Sequence, residues 1–314
     1  MNILLNYVPS AGHLERLRGH APKAGFTLAR NLEEARAGMV EAEVVLGNRY
    51  FLQALPSATR LRWMQSNSMG VDLILRGAGR RLDGVVLTCA RGLYADEVAD
   101  HALALLLGVS RGLRESVEAY AERRWPRWPL LTLAGLHALV LGWGALGKAI
   151  GRRLHGFGVR VSGVRRTGPT TEADGVIVHG PETWRAELPK VDLLIIALPL
   201  TPATERCVGA GELASLPRDA VVVNVGRGAV LDQAALFGEL RSGRLFGAGV
   251  DTLVEEPPLA GDPVWEVPRL LVTPHVGRSL EVGVAKWEGL FEENLRRWVV
   301  GEPLLNVVDP VAGY

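Results

Sequence analysis

The 314-residue chain is poor in cysteine and lysine: only Cys89 and Cys207, and four lysines among 35 basic side chains. Two cysteines provide neither a disulfide framework nor zinc-ligand spacing, so no metal site is expected, and the usage fits a reducing cytoplasm. Formal charge is only +1, and no basic run forms a stripe able to track phosphates, which argues against nucleic acid as a partner. The longest apolar run, Ala102 to Val109, is far too short to span a bilayer. The opening MNILLNYVPSAGH lacks the basic segment and long apolar stretch of a signal peptide. Neither export nor a membrane partner is therefore expected. No internal repeat or low-complexity linker is present. What remains is 48% hydrophobic and 22% charged residues, the balance of a globular protein long enough for two domains.

Short apolar runs alternate with helix-like segments, the pattern of α/β proteins with parallel sheets. Strands are expected at Ile3–Tyr7, Val44–Gly47, Arg62–Gln65 and Val85–Thr88, with a helix over Leu32–Ala42. Residues 97–123 read as one long helix that ends at WPRWP, where two prolines forbid continuation. A second series follows, with strands at Ala138–Leu141, Arg160–Val164, Val191–Ala197, Ala220–Val225, Gly247–Val250 and Leu270–Thr273. The segment Val284–Val300 has apolar residues at helical spacing. These readings predict two Rossmann-like or flavodoxin-like parallel-sheet domains. Residues 98–281 would form a dinucleotide-binding domain, and residues 1–97 with 282–314 a discontinuous second one.

The stretch LGWGALG contains a G-x-G-x-x-G, Gly142-Trp143-Gly144-Ala145-Leu146-Gly147, directly after the apolar strand HALVL. The first glycine permits a tight turn, the second admits a pyrophosphate close to the backbone, and the third lets helix pack on strand. The helix start offers N–H groups and a positive dipole end to phosphates. GAG recurs at 77–79 and 247–249, so the strand-turn-helix context carries this reading, not the glycines alone.

About 20 residues on, where an acid usually holds the adenosine ribose, the chain reads RVSGVRRTG. Arg165 falls at the acidic position and Arg166 follows. Guanidinium groups pair with a 2′-phosphate in a planar, bidentate way. Arginine fills about one position in ten of this chain, so chance sets a floor. The missing acid and the paired arginines nonetheless point to NADP, with NAD bound more weakly.

Three polar residues follow separate strands of the second series: Arg227, Glu256 and His275. Singly they read as a loop cation, one of an acidic pair beside prolines, and a turn histidine. Together, beside a nucleotide turn and at the edge of a parallel sheet where ligands bind, they can meet around one substrate.

The stretches LGWGALG, ALPLTPATE, NVGRGAVLD, GVDTLVEEP and VTPHVG resemble, in order and spacing, the D-isomer-specific 2-hydroxyacid dehydrogenases. LRWMQSNSMGVDLIL is similar to that family's substrate-carboxylate loop, and the resemblance spans roughly residues 40 to 308. It implies a glyoxylate/hydroxypyruvate reductase-like, NADP-preferring enzyme with two α/β domains, a cleft between them and a homodimeric assembly. It also implies roles in the reduction of a 2-oxoacid, which needs a hydride at C2 and a proton on the carbonyl oxygen: Arg227 on the substrate carboxylate and carbonyl, His275 as acid/base, and Glu256 as its partner. The residue types suit those roles, for a histidine gives a proton near neutral pH, a neighbouring carboxylate stabilises the imidazolium, and an arginine both grips a carboxylate and polarises a carbonyl. Ser68, Met69 and Gly70 would meet the substrate carboxylate. Asp251 would sit by the nicotinamide carboxamide. Leu198, Pro199, Thr204, Val225, Gly226 and Gly277 would line the cofactor together with the glycine turn, Arg227 and His275.

Departures from the family pattern bear on the reaction. The carboxylate loop SNSMGVD lacks the lysine of phosphite-oxidising relatives, and Glu256 argues against formate oxidation. Asp100-His101 stands where Glu-His is common and reads as structural, and His137, His155 and His179 read as structural or surface residues. Arg278 replaces a small residue and either narrows the pocket or faces solvent. Trp125 and Trp128 read as core packing beside the hinge, with reach into a partner subunit's cleft as the alternative. The triad leaves one alternative open, a dinucleotide-sensing corepressor of the same fold.

Overall fold

The computed structural model describes residues 1–172, 175–278 and 280–314. It divides into two compact units, Met1–Leu93 with Ser279–Tyr314, and Tyr94–Arg278. No helix among the described residues is long and apolar enough to cross a membrane.

The first unit is built on five parallel strands: β1 (Asn2–Leu5), β2 (Gly25–Leu28), β3 (Val44–Leu46), β4 (Trp63–Gln65) and β5 (Val86–Thr88). Their order, β2-β1-β3-β4-β5, is the flavodoxin-like doubly wound arrangement. Leu4, Val45, Met64 and Leu87 bury one face against helical residues such as Met39 and Phe51. The closing helix Leu280–Val300 belongs to this unit. Trp298 stacks on Trp63, and Trp287 and Phe291 meet Tyr7 edge-on. Asn294 donates to Gln65 Oε1 at 2.7 Å, tying that helix to the sheet.

The second unit carries eight strands: β6 (His137–Leu141), β7 (Arg160–Val164), β8 (Thr170–Thr171), β9 (Ile177–His179), β10 (Leu193–Ile196), β11 (Val221–Asn224), β12 (Gly247–Val250) and β13 (Leu270–Val272). Their order is β13-β12-β11-β10-β6-β7-β9-β8, all parallel except β8 against β9. The sequence reverses direction across the sheet between β6 and β10, which makes that gap the topological switch point. Strands β6, β10, β11 and β12 are buried along their whole length, because helices cover both faces; hence their unbroken apolar composition. Gly249 on β12 admits the helix Ala95–Ser110 at contact distance: a Cβ there would lie 2.8 Å from Leu105 Cβ.

The predicted single helix over 97–123 is two helices, Ala95–Ser110 and Leu113–Ala121. Gly112 breaks it with φ 63°, and the Trp128 indole fills the space where a side chain at 112 would stand. Trp128 thus packs within this unit. Trp125 corrects the packing expectation, for its side chain is 99% exposed. The residues 122–132 that carry it have no regular secondary structure.

Candidate functional site

All carboxyl ends of the parallel strands in the second unit lie on one edge, and the residues of interest follow them. Beyond β6, Gly142 adopts φ 102°, and a Cβ there would come within 2.5 Å of Ala197 O, at the end of β10. A Cβ on Gly147 would overlap the Gly142 carbonyl, so the third glycine lets helix Ala145–Gly156 close on the turn. Gly144 faces open space. This helix has no side-chain cap and no acid in its first turn, so its leading N–H groups and dipole are available to an anion. A pyrophosphate fits this cradle: two glycines are demanded by packing, and the third leaves the approach clear. Trp143 is buried, its indole packed over Gly163 of β7 and Gly151 of the helix; Ala145 and Leu146 begin the helix.

Past β7, Arg165 Nη1 lies 3.4 Å from Glu172 Oε1, and Lys148 Nζ lies 2.7 Å from the same oxygen. Arg166 is exposed. Leu198 and Pro199 follow β10 and are half-buried; Thr204 folds its hydroxyl back onto Pro199 O at 2.6 Å.

Beyond β11, Val225 and Gly226 are buried, and a Cβ on Gly226 would sit 2.6 Å from Leu198 O. Gly226 N donates to Asn224 Oδ1 and Asn224 Nδ2 to Arg227 O, which fixes the backbone carrying the half-buried Arg227. Its Nη1 reaches Gly226 O at 3.0 Å. Gly228 next to it lies so close to the Leu253 backbone that no side chain fits. Leu253 N in turn donates to Glu256 Oε1 at 2.8 Å. Glu256 Oε2 then stands 2.7 Å from His275 Nδ1. The loops after β11, β12 and β13 are thereby linked residue to residue.

His275 holds φ 53°, a conformation that non-glycine residues rarely adopt, and Asp251 is what holds the turn. Its carbonyl accepts from His275 N at 2.9 Å. Its buried carboxylate accepts from Thr273 Oγ1 (2.7 Å), Val276 N (2.9 Å) and Gly277 N (3.0 Å). His101 Nε2 lies 3.0 Å from the same carboxylate. The Asp251 carboxylate thus closes the histidine turn. His101, which the sequence marks only as structural, is its neighbour. Arg278 folds its guanidinium over the Tyr94 ring, 5.1 Å from the centroid.

In the first unit, Ser68, Met69 and Gly70 follow β4 and are half-buried. Ser68 accepts from Asn48 Nδ2 on its hydroxyl and from Ala90 N on its carbonyl, and its N–H goes to Ser66 Oγ. Three loops of the sheet's carboxyl edge thus meet at Ser68.

Residues 103–277 match the family model described as D-isomer specific 2-hydroxyacid dehydrogenase, NAD binding domain. The chain belongs to the D-isomer specific 2-hydroxyacid dehydrogenase family. Its second unit is that family's NAD-binding domain, and the cofactor is a nicotinamide dinucleotide. A glyoxylate reductase of Korarchaeum cryptofilum is 29% identical over 82% of this chain and 79% of its own length. A family dehydrogenase from Xanthobacter autotrophicus, solved with NADPH and MES, is 30% identical with a TM-score of 0.82, covering 100% of this chain and 99% of that one. The NADPH-dependent glyoxylate/hydroxypyruvate reductase of Sinorhizobium meliloti, solved with NADP and sulfate, is 26% identical with a TM-score of 0.84 and the same coverage. Family membership makes the chain an oxidoreductase of the 2-hydroxyacid dehydrogenase class.

Proposed function

We propose that this dehydrogenase reduces small 2-oxoacids of the glyoxylate and hydroxypyruvate kind with NADPH, and oxidises D-2-hydroxyacids in reverse. The observation that carries this reading is the 2.7 Å contact between His275 Nδ1 and Glu256 Oε2. With Nδ1 committed to the carboxylate, Nε2 is the atom that gives and takes the substrate proton. Glu256 orients the ring and stabilises the imidazolium. Arg227 binds the substrate carboxylate and draws charge onto the carbonyl oxygen as it develops. Gly142, Gly144 and Gly147 hold the dinucleotide pyrophosphate, and Arg165 with Arg166 meets the 2′-phosphate. The bound nicotinamide supplies or accepts the hydride. We assign substrate binding to the first unit, through the backbone around Ser68, Met69 and Gly70.

Leu113, Val117 and Tyr120 form an exposed apolar stripe at i, i+4 and i+7 of the helix Leu113–Ala121, with exposed Trp125 just beyond. We assign this stripe to a homodimer interface. Val117→Glu is expected to shift the sedimenting species to a monomer, and an unchanged mass contradicts the assignment.

The reaction is tested by nicotinamide absorbance with glyoxylate, hydroxypyruvate, pyruvate and longer 2-oxoacids, each with NADPH and NADH. Turnover of a short 2-oxoacid with NADPH supports the reading. No turnover with any of them contradicts it and favours a dinucleotide-sensing, non-enzymatic role.

A further inference from the structure

Lys148 and Arg165 share one carboxylate. Lys148 lies in the first turn of the helix Ala145–Gly156, directly after Gly147, and Arg165 directly follows β7. Glu172, just past β8, receives Lys148 Nζ at 2.7 Å and Arg165 Nη1 at 3.4 Å on a single oxygen. Its carboxyl is held below the usual carboxylate range, first by the Lys148 hydrogen bond and against the cost of its partial burial. The Trp143 indole N–H adds a further pull although it lacks the geometry of a hydrogen bond, and the charge of Arg165 contributes last.

This arrangement serves Lys148 well and Arg165 poorly. A charge-assisted N–H···O bond runs at about 2.7–2.9 Å and an arginine prefers two of them in parallel. Arg165 makes one contact to Glu172, at 3.4 Å, while its buried Nε–H has no partner among the described residues. A guanidinium with an unspent donor and a long single contact is suited to a stronger, multidentate anion.

We propose that Glu172 is an internal competitor for the 2′-phosphate of NADP, and that Lys148 is a third cation of that subsite. The inference rests on the NADP reading of Arg165 given above. A phosphate monoester carries about −1.5 to −2 charges at pH 7 with several acceptor oxygens, so it outbids a carboxylate for both cations. Glu172 then remains beside it as a like charge. NAD presents a 2′-hydroxyl instead, which donates to a carboxylate, so Glu172 penalises NADP and spares NAD. The residue tunes the cofactor preference downward from what two arginines and a lysine would set alone.

Calorimetric titration of the full chain with adenosine 2′,5′-bisphosphate and adenosine 5′-monophosphate isolates this subsite from catalysis. Glu172→Gln is expected to tighten the bisphosphate by roughly tenfold and to leave the monophosphate within about twofold. Lys148→Met is expected to weaken the bisphosphate by roughly tenfold and to remove most of the gain when combined with Glu172→Gln. If the wild-type chain favours the bisphosphate and Arg165→Ala abolishes that preference, while Glu172→Gln changes nothing or weakens binding, the competitor proposal alone is overturned. If the wild-type chain binds both probes equally and Arg165→Ala has no effect, the NADP reading falls and this inference with it.

Discussion

Asp251 Oδ2 accepts the Gly277 N–H at 3.0 Å, and a Cβ at position 277 would stand only 2.9 Å from that same oxygen. With Thr273 and Val276 on the other oxygen, the carboxylate closes the turn that bears His275. Asp251→Asn replaces one acceptor with a donor facing backbone N–H groups, which a buried site does not tolerate cheaply. The expected result is a loss of roughly 10²-fold in kcat, with KM for the dinucleotide changed by less than about threefold. A rise in dinucleotide KM with kcat intact would instead put Asp251 on the cofactor.

The three turn glycines differ in what they meet, and substitution separates fold from binding. Gly147→Ala drives a methyl into the Gly142 carbonyl and is expected to cost about 1–3 kcal/mol of stability, read as a lower Tm. Gly144→Ala enters open space, so Tm should hold while dinucleotide affinity falls at least about tenfold. Equal effects of the two on Tm would contradict this division.

Arg165→Asp places a carboxylate where the 2′-phosphate is proposed to sit. The ratio of kcat/KM for NADPH over NADH is expected to fall by at least about 10²-fold. An unchanged ratio removes Arg165 from cofactor discrimination.

Much of the second unit was readable because parallel strands covered on both faces are continuous apolar runs: HALVL, LLII and VVVN are buried throughout. Strand β2, GFTL, escaped the same reasoning because it is an edge strand with no buried position, too short for alternation to show. The break at Gly112 was hidden because glycine is tolerated within a helical pattern. Only the distant Trp128 indole reveals why the chain turns there.

The candidate site divides the same way. Gly142, Gly147, Glu256 and His275 stood in motifs with local spacing, and Glu256 with His275 meets at contact distance. The ties of His101 to Asp251 and of Glu172 to Lys148 join residues 150 and 24 apart. Neither pair has a periodicity or motif to betray it, because tertiary folding alone sets those contacts.

Stability of the first unit should depend on pH through Glu292. Burial opposes its ionisation, but Arg16 and His13 hydrogen-bond the carboxylate and hold it below the usual range. A depressed folded-state value means the contribution is complete above the unfolded-state value near 4.3 and fades as pH falls toward the lower folded one. Glu292→Gln should therefore lower Tm at pH 7, a cost of about 1–2 kcal/mol. The two proteins should converge in melts run progressively below pH 4. A constant difference across that range would contradict the linkage.

In the proposed reaction His275 Nε2 moves the substrate proton while the glycine turn holds the dinucleotide independently. The most direct measurement pairs single-turnover kinetics of His275→Ala with a fluorescence titration of NADPH on the same protein. A loss of roughly 10²–10⁴-fold in the reductive step is expected, with NADPH affinity within about threefold of the parent. Turnover within tenfold of the parent, or NADPH binding lost in step with turnover, would contradict it.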